Sequence, residues 1–174
     1  MGIDTRTYSA TETLRNGKRL DIRALRPEDR NDLLAALGRA SAQTLYRRFF
    51  GVKRDFSEKE MSFYLNVDSV NHVALVALLE EGGYARIVGG ARYIVISPGV
   101  AEVAFSVVDQ YQRQGIGAAL MRHLGAIARE AGLTELRAEV LTDNLPMLRV
   151  FDKSGYQTIR KREANVVHLT IRLH

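Results

Sequence analysis

Residues Tyr111 to Gly117 read YQRQGIG, a polar turn with two glycines set between an apolar run ending at Val108 and another starting at Ile116. The later run places Ile116, Leu120, Leu124, Ile127 and Ala131 on one helical stripe, with Gly132 where a left-handed C-terminal cap belongs. The earlier run, Ala101 to Val108, has the residue types of a strand. A strand, glycine turn and helix in this order form an anion site. The first N–H groups of a helix lack intrahelical partners, Gly115 and Gly117 let a ligand come close to them, and the helix dipole adds roughly 0.3–1 kcal/mol per charge.

Upstream of the turn, Thr11 to Arg15 and Lys18 to Arg23 flank Asn16-Gly17, a two-residue hairpin signal. Pro27-Glu28-Asp29 then opens a helix with Leu33, Leu34 and Leu37 at helical spacing. A second helix is expected over 41–50, and Ser57 with Glu60 forms a capping box that starts another turn of helix. Val73 to Leu79, Arg86 to Ile96 and Ala101 to Val108 predict three consecutive antiparallel strands. Downstream, Glu135 to Leu141 alternates apolar and charged residues as a half-buried strand does. Pro146 opens a helix that ends at Gly155, and Tyr156 to Arg162 with Val166 to Leu173 reads as a closing hairpin. The elements predict one domain over 1–174, with 1–17 as an N-terminal arm and first hairpin strand. Their order, βααβββαβαββ, describes an α/β (α+β) fold with a mixed sheet flanked by helices and a βαβ crossover at the glycine turn.

Composition bounds the function. The 174 residues are 46% apolar and 26% charged, enough for a single core. With no cysteine, disulfides and thiolate chemistry are excluded and a reducing, cytoplasmic setting is expected. No stretch has the ~20 apolar residues of a membrane span. The formal charge of +5 favours anionic ligands. Basic residues are scattered, however, with close runs only at Arg47-Arg48 and Arg160 to Arg162, so a solvated face is expected rather than a nucleic-acid interface. His72, His123, His168 and His174 lack ligand spacing, and no metal is expected.

Two phosphate-binding patterns fail at the turn. A P-loop needs lysine and then serine or threonine after its second glycine, where Ala118-Ala119 stand. A dinucleotide fingerprint needs a third glycine, where Leu120 stands. Gln112-Arg113-Gln114-Gly115-Ile116-Gly117-Ala118, preceded by Val107-Val108, instead resembles the coenzyme A pyrophosphate loop of the GNAT superfamily of N-acetyltransferases. Ala101 to Phe105 is similar to the strand that carries the catalytic glutamate of lysine acetyltransferases, here Glu102. The stretch from Asn144 through Phe151 to Tyr156 is similar to the helix and turn beside the pantetheine arm. The upstream stretches Leu20 to Asp29, Leu45 to Gly51, and Asp68 with His72 to Ala77 resemble bacterial Pat-type protein acetyltransferases, whose substrates are lysines of acyl-CoA synthetases.

The resemblance implies a mostly antiparallel GNAT sheet and acetyl-CoA as co-substrate. It places Gln112 to Ala118 on the pyrophosphate, and backbone groups of Val107 and Val108 on the pantetheine. It also implies Glu102 as general base in a direct transfer to an amine, a protein lysine before a small-molecule amine. Alternation along the strand puts Glu102, Ala104, Ser106 and Val108 on a small-residue face, which fits either a solvated glutamate or one facing a ligand. A base is useful because a lysine of pKa ~10.4 is neutral in about one molecule per thousand near pH 7. Phe151 departs from the pattern, since many members have tyrosine there to protonate the leaving thiolate. With a thiol pKa near ~8.5 the thiolate leaves readily, and Phe151 is then packing only. Asn144 reads equally as a helix cap and as a pantetheine ligand. His72 reads as a structural histidine near the acceptor side, and a non-catalytic acyl-CoA-binding module remains the rival of another class. The oligomeric state is open.

Overall fold

The computed structural model describes residues 4–39, 48 and 57–173. The helix expected over 41–50, apart from Arg48, most of the 45–51 stretch, the side chain of Leu37, and His174 lie outside the described residues.

Among the described residues eight strands form one sheet: β1 (Ser9–Thr13), β2 (Arg19–Ala24), β3 (His72–Glu81), β4 (Tyr84–Ser97), β5 (Val100–Val107), β6 (Glu135–Leu141), β7 (Gln157–Glu163) and β8 (Val166–Arg172). Their spatial order is β1-β2-β3-β4-β5-β6-β8-β7, and every neighbouring pair is antiparallel except β5–β6. The helices are α1 (Arg30–Arg39), α2 (Glu58–Leu65), α3 (Ile116–Glu130) and α4 (Leu145–Asp152). The mixed, mostly antiparallel sheet and the crossover through α3 are those expected.

The two faces of the sheet are covered by different helices. Even-numbered residues over His72–Val76 of β3, Gly90–Ile94 of β4 and Glu102–Ser106 of β5 share one face, because His72 lies opposite Ile94 and Ile94 opposite Glu102. On that face Phe63 of α2 stacks against His72, with ring centroids 5.1 Å apart. Arg23, opposite Val76, grips Asp29 at the start of α1 with two bonds of 2.7 and 2.8 Å. Burial pushes the Asp29 carboxyl up, but the bonds from Arg23 and the Arg26 amide outweigh it and hold the carboxyl below its usual range. The odd-numbered face carries α3 and α4. There Phe105 meets Phe151 edge-on at 5.6 Å, and Ile116, Leu120, Leu124 and Ile127 of α3 are fully buried.

Some local expectations shift. The capping box at Ser57 and Glu60 forms with both of its bonds. The first hairpin strand ends at Thr13, before the expected Arg15, and the second begins at Arg19 and not at Lys18. Asn16 keeps a negative φ, so the two-residue turn with both central residues left-handed does not form. Instead Gly17 alone is left-handed at φ 84°, its amide donates to Leu14 O, and Leu14 N donates to Lys18 O, which gives a longer loop over 14–18. Pro27–Asp29 is a 3-10 turn before α1, and Leu34 is 37% exposed, so Leu33 faces the core and Leu34 does not. Ala131 lies just beyond α3 and is exposed, because the chain leaves the helix axis at left-handed Gly132.

Candidate active site

The parallel pairing of β5 with β6 is short. It joins Val100 to Glu135, Ala101 to Leu136 and Glu102 to Arg137, and then the strands part. Val103 to Val107 therefore keep β4 on one side and leave the other edge of their backbone without a strand. A cleft of about 720 Å³ occupies this gap, lined by residues 103–107 on one side and 138–140 on the other. It continues along Asn144, Met147, Val150 and Phe151 of the α4 segment, past the turn at 111–118, and out to residues 12–16 of the β1–β2 hairpin. Lining residues come from both faces of the sheet, Phe105 from one and Ala104 from the other.

The turn is built to present donors. Arg113 at φ 65° and Gly115 at φ 90° are left-handed, and Gly115 caps α3 without any side-chain bond to the first-turn amides. A non-glycine residue in that region costs of the order of 1 kcal/mol, a sign of a backbone shaped for another purpose. The backbone N–H groups of residues 113–118 donate to no acceptor among the described residues. Gly117 has a different reason for being glycine. A Cβ there would lie 3.1 Å from Cγ2 of Val150, tighter than an ordinary contact, because α3 and α4 approach closely at this point. Gln112 secures the base of the turn, its Nε2 donating to Val107 O at 3.0 Å.

The residues singled out in the sequence divide into two groups. Val107, the whole segment Gln112 to Ala118, Asn144 and Phe151 line the cleft. Val108 does not; it is 6% exposed and its amide donates to Val88 O at 2.8 Å, because the 3-10 turn Asp109–Tyr111 folds the chain inward there. Asn144 caps α4 by accepting from Met147 N at 3.4 Å. Phe151 is 1% exposed and is held by Phe105. Glu102 is exposed and belongs to the last paired position before β5 and β6 separate, on the face opposite Val103 and Phe105. It stands at the apex of the gap, where the two faces of the sheet communicate.

Two strands away in the same cross-strand row, His72 is buried, and its Nε2 lies 2.9 Å from Nη1 of Arg92. Since guanidinium only donates, Nε2 is the acceptor. Burial and the Arg92 charge push the His72 pKa down to about 4, against the opposing pull of Asp68. The folded pKa lies below the unfolded value near 6.5, so the unfolded chain binds the extra proton between these values and stability falls as pH drops from about 6.5 to 4. Urea unfolding across that range is expected to show the decline in the wild type and a flatter profile in His72→Gln.

The hairpin's part in the site was not legible in the sequence. Asn16 Nδ2 donates to Gln114 Oε1 at 3.1 Å, Lys18 and Tyr111 both bond to Glu81, and Glu12 holds Arg122 and His123 of α3. The Asn16-Gly17 signal announces a hairpin and says nothing of a partner 98 residues away. Among the described residues no group of three or more histidines and acids is arranged to hold a metal.

A profile of the acetyltransferase (GNAT) family matches residues 39–156. The chain is 33% identical to acetyltransferase Pat of Mycolicibacterium smegmatis over 150 residues, which covers 85% of this chain and 44% of that protein, so it spans less than half of that relative. It is 36% identical over 126 residues to an acetyltransferase of Pseudomonas aeruginosa, covering 72% of this chain and 68% of the other. The crystal structure of the GNAT domain of S. lividans PAT superposes with a TM-score of 0.85 at 33% identity, covering 94% of this chain and 96% of that one. The opened β5–β6 edge, the free amides of the turn, and these matches over most of the chain establish that it belongs to the acetyltransferase (GNAT) family.

Proposed function

We propose that the protein is an acetyl-CoA-dependent N-acetyltransferase that acetylates a protein lysine, with Glu102 as general base. The observation that carries this reading is the position of Glu102 at the apex of a cleft that runs out past a turn of unpaired amides. A pyrophosphate on residues 113–118 fixes the coenzyme at the junction of its pantetheine and adenosine parts. The pantetheine then lies along the open edge of β5, and its amides replace the missing neighbour strand. The thioester is thereby brought to the point where the strands close.

The acceptor approaches from the other face. Glu102, Arg137 and Glu139 are exposed on it, which suits a macromolecular substrate. Glu102 takes a proton from the lysine ammonium, directly or through water. The neutral amine attacks the thioester carbonyl and the C–N bond forms; collapse of the tetrahedral intermediate breaks the C–S bond, and the second proton on the nitrogen passes to solvent or to the departing thiolate. The thiolate leaves without a phenol at position 151, consistent with its low basicity. Acyl-CoA synthetases are the expected class of protein substrate, by similarity to Pat-type proteins.

The test is release of free thiol from acetyl-CoA in the presence of a panel of acyl-CoA synthetases and small amines. Thiol release with concurrent lysine acetylation of a synthetase is expected. Turnover confined to small amines would move the assignment to a small-molecule acetyltransferase. Stabilisation by acetyl-CoA without turnover on any acceptor would identify a binding module.

A further inference from the structure

We infer that Arg15, on the β1–β2 loop, binds a terminal phosphate monoester of the coenzyme, which makes the N-terminal hairpin part of the coenzyme site. The inference rests on the acetyl-CoA reading above and adds a residue and a ligand group to it. The cleft has a direction. Its inner end lies between β5 and β6 and its middle at the turn, whereas residues 12–16 belong to the end of β1, the strand at the far edge of the sheet, and to the loop that follows it, and reach only the outer end. A ligand threaded from the gap through the turn meets the hairpin last.

The hairpin is held in that place. Asn16, the neighbour of Arg15, bonds to Gln114 of the turn, and Lys18 is tied through Glu81 to Tyr111. Of the neighbouring cations, Lys18 is matched by Glu81 at 3.2 Å and Arg122 by Glu12, and Arg113 is exposed on the pyrophosphate turn itself. Arg15 lines the cleft, is exposed, and makes no ion pair or hydrogen bond among the described residues. The unpaired amides of 113–118 suffice for a pyrophosphate, which occupies the N-terminus of α3. A further dianion on the same ligand has no backbone donors left, and a planar guanidinium at the next position along the cleft is suited to accept it in a bidentate contact. On the opposite wall Arg149 and Lys153 are also exposed, but α4 borders the gap and so runs beside the inner part of the ligand.

The experiment compares the Kd of acetyl-CoA with that of its 3′-dephospho analogue by titration calorimetry, for the full chain and for Arg15→Ala, Arg15→Lys and the double variant Arg149→Ala/Lys153→Ala. The wild type is expected to bind the analogue about tenfold more weakly, the size of one charge-assisted contact at an exposed site. Arg15→Ala should bring the ratio close to one by weakening acetyl-CoA alone, and Arg15→Lys should recover part of it. Because Arg15 is exposed, its replacement leaves the core untouched, and an unchanged melting temperature verifies this. Equal affinities in the wild type, a ratio unmoved by Arg15→Ala, or a ratio abolished by the α4 double variant instead would each overturn the inference while leaving the coenzyme reading intact. Failure of the wild type to bind either compound would overturn both.

Discussion

Glu102→Gln is expected to lower the acetylation rate by about 100-fold or more while the Kd of acetyl-CoA stays within about twofold of the wild type. The split follows from geometry. The lining of the cleft begins at Val103, and Glu102, the residue before it, is not part of that lining. Glutamine keeps the size and polarity of the side chain and removes its ability to accept the ammonium proton. The acceptor is then neutral only in the small fraction that solution equilibrium provides, roughly 4 kcal/mol above the charged form near pH 7. Raising the pH should therefore narrow the difference between variant and wild type, because solvent takes over the deprotonation. Steady-state turnover with coenzyme binding measured separately decides the matter; an unaltered rate at every pH would leave Glu102 with no role as base.

Gly89→Ala is expected to destabilise the protein by about 2 kcal/mol, a fall in Tm of roughly 4–8 °C for a chain of this length, and to weaken acetyl-CoA binding. Gly89 is in β4 opposite Val107, and a Cβ there would stand 2.9 Å from the backbone oxygen of Ser106. A backbone atom cannot rotate away as a side chain does. Ile116 and Leu120 of α3, each 3.5 Å from the same point, close the other exit. The strain must move β5 or α3, and both run into the turn that carries the unpaired amides. Gly82→Ala is the comparison, since its neighbourhood is open and only its left-handed φ of 59° is penalised, at about 1 kcal/mol. Calorimetric melting with and without acetyl-CoA reads both effects, and a Gly89→Ala variant with wild-type Tm would show that β4 and β5 yield more easily than their pairing implies.

Local signals carried the elements, and their accuracy follows from how local their causes are. α3 was legible because Ile116, Leu120, Leu124 and Ile127 repeat at the helical period and Gly132 ends the helix by conformation alone. β6 was legible residue for residue because one of its faces is buried and the other wet. The hairpin turn was misjudged in type because Asn16-Gly17 is compatible with more than one turn. Here the side chain of Asn16 is drawn to Lys18 N on one side and Gln114 on the other. The exposure of Leu34 was not legible either, since the spacing of Leu33, Leu34 and Leu37 does not say how wide the covered face of α1 is.

By itself the sequence determined the glycine turn at the start of α3 and the strand with Glu102 ahead of it, because glycine conformations and side-chain alternation act over a few residues. The tertiary structure decided where these parts meet. Separation of β5 from β6 after the Glu102–Arg137 pair, the inward fold that withdraws Val108, and the seating of the N-terminal hairpin against Gln114 all depend on contacts between residues far apart in the chain. Such contacts arise from how helices fill the two faces of the sheet, and no short stretch of sequence contains that information.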